Sequence, residues 1–225
     1  MTRDHREETD SIGTWRLPSD ALHGIQTARA LDNFNLSDVH LNAFPEIVRS
    51  LAMVKKAAAL ANAGLGTISA RASAAIVAAC DEIIEGQHHE AFAVDVIQGG
   101  AGTSTNMNAN EVIANLAALK LGGTPGDYSE IHPNDTVNRS QSTNDVYPTA
   151  MRLAVMSQCA PLVAELQALC RAFDLKAVEF AAIPKVGRTQ LQDAVPISLG
   201  EEFAAFSEAI RNDIRRLLQI AEVLR

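Results

Sequence analysis

The chain is poor in aromatic residues, with one Trp, two Tyr and seven Phe among 225 residues. Strands draw on aromatic and β-branched side chains for their half-buried faces. Their scarcity, beside abundant Ala, favours close-packed helices over a sandwich or barrel. Cysteine is scarce too. Cys80, Cys159 and Cys170 are odd in number, widely spaced and set beside Ala, Leu or Ile. They read as small buried hydrophobes in a reducing compartment, not a disulfide frame. Basic residues number 19 against 27 acidic ones, for a net charge of −8. Such a chain lacks the basic face that supplies most affinity for nucleic acid, so no nucleic-acid partner is expected. It also lacks a bulk positive field, so any anion site must be built from local donors. No purely apolar run is long enough to span a bilayer, and polar Met1–Ser11 is no signal peptide. The expectation is a cytoplasmic protein with no membrane partner.

Periodicity supplies the elements. Met1–Ser11 reads as a frayed acidic tail. Ile12–His40 is punctuated by Gly, Pro and Asn, which predicts turns, a small hairpin and a short helix near Ile25–Leu31. Pro45, then Ile47, Leu51, Val54, Ala58 and Ala61, predicts an amphipathic helix ending at Gly64, with Lys55-Lys56 on its solvated face. A second helix is predicted over Ser69–Glu85, with Gly86 as its stop. Phe92–Ile97 alternates and reads as extended. A helix from Thr105 to Gly122, a long one from Asp145 to Ala181 and a last one from Ser198 to Arg225 complete the set. Pro161 kinks the long helix or costs it one hydrogen bond. Polar loops are expected at Thr124–Asn144 and Ile183–Pro196. The fold class is therefore mainly α. A mixed helical domain with short extended segments, 1–144, is followed by part of a central helix bundle, 145–225. The last two helices carry apolar faces wider than the chain itself covers, which predicts a truncated bundle or one completed by other chains.

Two motifs are dense in hydroxyls and amides and nearly free of charge. Gln98–Asn108 reads Gln-Gly-Gly-Ala-Gly-Thr-Ser-Thr-Asn-Met-Asn. His132–Asp145 reads His-Pro-Asn-Asp-Thr-Val-Asn-Arg-Ser-Gln-Ser-Thr-Asn-Asp. Each precedes a helical segment, so each sets neutral donors at a helix start, where backbone N–H groups favour an anion. That chemistry fits a small dicarboxylic acid better than a metal or a nucleotide. The plainer reading stands beside it: Ser142-Thr143-Asn144 and Thr103 also suit ordinary helix caps. His132 beside Pro133, Asn134 and Asp135 also suits a turn making local hydrogen bonds. His88-His89 with Glu85 and Glu90 has no second cluster to complete a metal site and reads as a solvated helix end. Arg29 and Arg188 suit a place near the site or ordinary ion pairs.

The motifs resemble those of the aspartase/fumarase superfamily. The resemblance runs from Gly13-Thr14 and Leu17–Ala21 through Gly24–Ala30, Asn33-Phe34 and Val54–Ala59. It continues through both polar motifs to Gly187–Pro196. The aspartase branch is the nearer one. The family's fumarases usually carry Gly-Pro at Gly13-Thr14, Gln-Thr-Gly-Ser-Gly-Thr at Gln98–Thr103, Ser-Ser-Asn-Asp at Ser142–Asp145 and Arg-Thr-His at Arg188–Gln190. The resemblance implies release of ammonia from L-aspartate to give fumarate. Class II fumarase is the alternative enzyme, and a non-catalytic assembly piece the alternative from another class. Thr103, Ser142 and Thr143 are expected on the side-chain carboxylate, Asn144 and Gln190 on the amino group, with Thr103 as an alternative third there, and Thr189 on the α-carboxylate. His132, Asn134 and Asp135 are expected at a secondary anion site. No cofactor and no metal is implied, and a homotetramer is. The family's serine loop, Gly-Ser-Ser-x-Met-Pro-x-Lys-x-Asn-Pro, does not occur in these residues. The chain therefore reads as the N-terminal half of such an enzyme, inactive alone.

Overall fold

A computed structural model describes residues 4–224. Met1–Arg3 of the expected tail, and Arg225 of the last helix, lie outside the described residues. The chain falls into two compact units, Met1–Ala154 and Val155–Arg225. The architecture is mainly α, as the composition predicts.

The first unit opens with an antiparallel hairpin, β1 His5–Thr9 and β2 Thr14–Pro18. This overturns the frayed tail. The charges that read as solvated instead tie the strand down. The Arg6 guanidinium donates to the carbonyls of Pro18, Ser19, Ala21 and His23 at 2.8–3.2 Å. Buried Glu8 accepts from the Ile25 amide at 2.9 Å. That amide opens helix α1, Ile25–Asn33, whose cap residue Gly24 has no side chain to offer. Glu111 replaces the missing cap. Its buried carboxylate accepts from the amides of Gly24, Gln26 and Thr27 at 2.8–3.0 Å, a negative charge at a helix N-terminus. Burial pushes the Glu111 carboxyl up while these amides pull it down. A Cβ at Gly24 would lie 2.7 Å from the Tyr128 hydroxyl and 2.8 Å from Glu111 Oε1, so this approach requires glycine.

Helix α2, Pro45–Gly64, starts on its proline and ends where predicted. Helix α3, Ala70–Ile84, is capped by Ser69, whose hydroxyl accepts from the Ala72 amide at 3.1 Å. The two pack together and against α4, Thr103–Lys120. Ile76, Ile83, Phe92, Val112 and Ile113 are fully buried in the shared core. Helix α4 is buried nearly all round, as the central member of this layer must be. The buried face of α2 is Val48, Leu51, Ala52, Lys55 and Ala59, one step out of phase with the expected one. Lys55 is therefore 0% exposed, and the solvated reading fails for it. Lys56 does face solvent and pairs with Asp81 at 2.5 Å. Phe92–Ile97 forms no strand. It makes an isolated bridge between His40 and Asp95, with backbone bonds from Leu41 to Val94 and from Val96 to Val39 beside it, and the Asp95 carboxylate takes up the amides of Leu36, Ser37 and Ile97. The 124–144 segment holds one wide helical turn at Pro133–Val137.

Helix α5, Thr143–Glu179, runs unbroken through Pro148 and Pro161. In the second unit the expected loop at Ile183–Pro196 is instead a hairpin, β3 Pro184–Thr189 and β4 Gln192–Ser198. Its two central residues, Gln190 and Leu191, have φ of 50° and 64°. Positive φ at both positions is the geometry that lets a two-residue turn follow strand twist. Without Asn or Gly there, the sequence hides that turn. Helix α6, Leu199–Leu224, begins with a reciprocal cap. Ser198 Oγ accepts from the Glu201 amide at 3.0 Å, and Glu201 Oε2 accepts from the Ser198 amide at 2.7 Å. Helix α6 runs antiparallel to α5 within the unit, with Phe203 against Phe180 and Ser207 bonded to Cys170. The core there is small: Val163, Cys170 and Ile214. Leu162, Leu169, Leu175, Val178, Ile220 and Val223 are 42–85% exposed. Cys80, Cys159 and Cys170 are free thiols.

Among the described residues, α5 is long and apolar enough, by length and composition, to cross a membrane. No unbroken apolar run in α5 is that long, but its apolar stretch is interrupted by only Ser, Gln, Pro and Glu165.

Candidate active site

The two polar motifs become two helix starts on one cavity. Gly100, Ala101 and Gly102 have φ of 81°, 51° and 89°, a left-handed turn that feeds the chain into α4. Gln98 holds that turn. Its Oε1 accepts from the Thr105 amide at 2.9 Å, and its Nε2 donates to the Asp95 carbonyl at 2.8 Å and to Thr105 Oγ1 at 3.0 Å. Ser142 caps α5, its Oγ accepting from the Asn144 amide at 3.2 Å. Gln98, Ala101, Gly102, Thr143, Asn144 and Tyr147 line a cavity of about 450 Å³, all within the first unit. Gly102 meets the Tyr147 ring so closely that a Cβ there would lie 2.6 Å from the ring.

This packing makes a prediction. Gly102→Ala places a side chain at a left-handed φ, costing roughly 1–2 kcal/mol, and forces Tyr147 aside, costing roughly 1–3 kcal/mol more. The thermal midpoint should fall by several degrees. An unchanged midpoint would contradict the close packing.

Beneath the cavity lies a polar network that sequence reasoning missed. Lys55 Nζ donates to Asn138 Oδ1 at 2.7 Å and to Gln141 Oε1 at 3.0 Å. Asn106 Nδ2 donates to Asn138 Oδ1 at 3.3 Å and to Thr143 Oγ1 at 3.1 Å. The Asn106 side-chain oxygen, Oδ1, is buried without a partner. Burial pulls the Lys55 ammonium down to about 7 from its ordinary 10.5, and Cys80 opposes the change slightly. One signal could have found this lysine: it lies four residues from both Leu51 and Ala59, on their helix face.

The nominated residues divide. Thr143 and Asn144 line the cavity, and Ser142, the residue before them, caps α5. Thr103 starts α4, but its hydroxyl donates to the Gly100 carbonyl at 2.6 Å. His132 Nδ1 accepts from the amides of Asn134 and Asp135 at 3.1 and 3.2 Å, so it caps its own turn. His132 and Asn134 border a second cavity, with Glu7, Glu8 and Asp10 on its wall. Thr189 and Gln190 are exposed at the β3–β4 turn of the second unit. Arg29 pairs with Asp10 at 2.8 Å and stacks on Trp15, and Arg188 lies 3.5 Å from Asp193.

The arrangement offers hydroxyl, amide and helix-start donors to an anion. A protein-family model described as Lyase matches residues 13–225. The chain belongs to this lyase family. Relatives inside the lyase family include the aspartate ammonia-lyases of Pseudomonas aeruginosa, 54% identical over 219 residues, and Escherichia coli K12, 49% identical over 225. These matches cover 97% and 100% of this chain and 46% and 47% of the relatives. The chain thus spans about half the length of the curated relatives it matches. Among solved structures it is similar to fumarate lyase:delta crystallin from Brucella melitensis, with TM-score 0.94 and 58% identity over 98% of this chain and 51% of that one. It is also similar to class II fumarase from Schistosoma mansoni, with TM-score 0.85 and 40% identity over 94% and 44% of the two chains.

Proposed function

We propose that the complete protein carrying this chain is an aspartate ammonia-lyase, taking L-aspartate to fumarate and ammonia. The observation that carries the reading is one cavity lined by neutral donors at two helix starts, in a lyase-family chain. The hard step is removing the proton next to the side-chain carboxylate. The electron pair left behind spreads into that carboxylate, which then carries a second negative charge. Preorganised donors stabilise it best where water is excluded. Thr143 and Ser142 each accept a hydrogen bond from the protein, which leaves their own protons for that carboxylate. Thr103 joins once its hydroxyl turns from Gly100. The family resemblance assigns Asn144 and Gln190 to the amino group and Thr189 to the α-carboxylate. His132, Asn134 and Asp135 form the secondary anion site. Absorbance at the fumarate band, followed with L-aspartate and with malate, tests the reading. Fumarate from aspartate supports it, whereas turnover of malate alone makes the protein a fumarase.

The same reading makes 145–225 part of a helix bundle shared by four copies in the cytoplasm. The exposed apolar side chains of α5 and α6 support association. Gln158, Glu165 and Gln167 lie exposed in the apolar stretch of α5, which suits a protein bundle better than lipid. Sedimentation at micromolar concentration should show dimers or larger. A stable monomer would defeat the shared bundle.

A further inference from the structure

Lys55 is a cation buried without a counter-ion. It is fully buried, and among the described residues no carboxylate pairs with it. Its ammonium donates to two amide oxygens, Asn138 Oδ1 and Gln141 Oε1. Burying an ammonium this way is costly, and an apolar residue of similar length would pack there with less penalty. What the lysine does is visible in its partners. Gln141 Nε2 donates to the carbonyls of Val137 and Arg139 at 2.8 and 3.1 Å, and Asn138 Nδ2 donates to the Gln141 carbonyl at 3.2 Å. The segment entering α5 is thereby closed around the ammonium. Asn138 Oδ1 is shared with Asn106, whose Nδ2 also reaches the Thr143 hydroxyl oxygen. Because that oxygen accepts from Asn106, its proton is directed elsewhere, and the cavity lies beside it.

We infer that Lys55 is a positioning residue for the anion site, acting through Asn138 and Asn106 to hold the Thr143 hydroxyl as a donor to a substrate carboxylate. The inference rests on the dicarboxylate reading of that cavity. It also explains the missing counter-ion: a dianionic ligand completes the charge balance that the protein leaves open, through amides polarised by the ammonium. The groups around Lys55 leave it as the one that titrates near neutrality. Cys80 faces it from α3, and burial pushes that thiol up to about 12. Asn106, Asn138 and Gln141 carry no charge. Lys56 and Asp81 pair with each other at the surface. Above pH 7 a neutral amine still donates to two oxygens but without charge assistance, so the clamp loosens.

The test uses the full natural gene product, with kcat and KM for L-aspartate measured from pH 6 to 9 in wild type, Lys55→Met and Asn106→Ala. Wild type should show KM rising through pH 7. Lys55→Met should raise KM about tenfold, the effect of one weakened hydrogen bond to the substrate, and should lose the inflection. Asn106→Ala cuts the relay without touching the lysine, and should raise KM similarly if Lys55→Met does not fold. The double variant should be no worse than either single one, since both act on one path. An active, folded Lys55→Met protein with wild-type KM and pH profile would overturn the inference alone. Wild-type protein that turns over no aspartate would overturn the functional reading, and this inference with it.

Discussion

Replacing Thr143 or Asn144 by Ala in the complete protein is expected to lower turnover of L-aspartate about 10²–10³-fold, with little loss of stability. Removing one donor aimed at developing transition-state charge costs about 3 kcal/mol. The structure separates this effect from helix capping, because the cap of α5 is Ser142. Thr143 instead accepts from Asn106, and Asn144 exposes its side chain beside the cavity. Ser142→Ala should lose both functions: about 1 kcal/mol of stability, seen as a lower thermal midpoint, and turnover as well, since its hydroxyl also serves the carboxylate. Turnover and midpoint measured on the same three variants check the assignment. Wild-type turnover in Thr143→Ala and Asn144→Ala would leave this helix start with no role in the chemistry.

Stability should rise with pH between 7 and 9, against the usual trend of alkaline loss. The Lys55 ammonium is held down to about 7 in the folded chain and sits near 10.5 when unfolded. Below pH 7 both states carry the proton, and the cost of burying the charge is fully present. Above pH 7 the unfolded state binds one proton more, so stability climbs by about 1.4 kcal/mol per pH unit. Above pH 9 the Cys80 thiol, pushed up to about 12 by burial, begins to oppose the gain. Its unfolded form ionises there while the folded form does not. Glu111, pushed up by burial, remains in Lys55→Met and cancels in the comparison. Denaturant unfolding at pH 7, 8 and 9 should show a slope in wild type that exceeds the variant's by this amount. Parallel slopes would mean that Lys55 titrates at its ordinary value.

Local signals carried most of the helices. Pro45, Ser69 and the apolar spacings gave α2 and α3 nearly to the residue, because caps and periodicity are local properties. The family resemblance carried Thr143 and Asn144 into the cavity. What was illegible depends on tertiary approach. Arg6 and Glu8 look like any charged tail until β2 and α1 arrive beside them. Lys55 and Lys56 are equivalent in sequence, and only the phase of the α2 face separates the buried one from the solvated one. The Gln190-Leu191 turn lacks the residues that usually mark its geometry. Gln98 and Asn106 lie inside a motif dense in hydroxyls and amides, where sequence does not tell which amides face a ligand and which face the protein. Their work is to aim those hydroxyls and amides, which composition does not encode.

The most direct test is a crystal structure of the complete protein with succinate, an unreactive dicarboxylate. One succinate carboxylate should sit within hydrogen-bond reach, about 2.7–3.2 Å, of Thr143 Oγ1. Succinate bound only at the His132–Asp135 turn, with the Thr143 cavity free of it, would contradict the account.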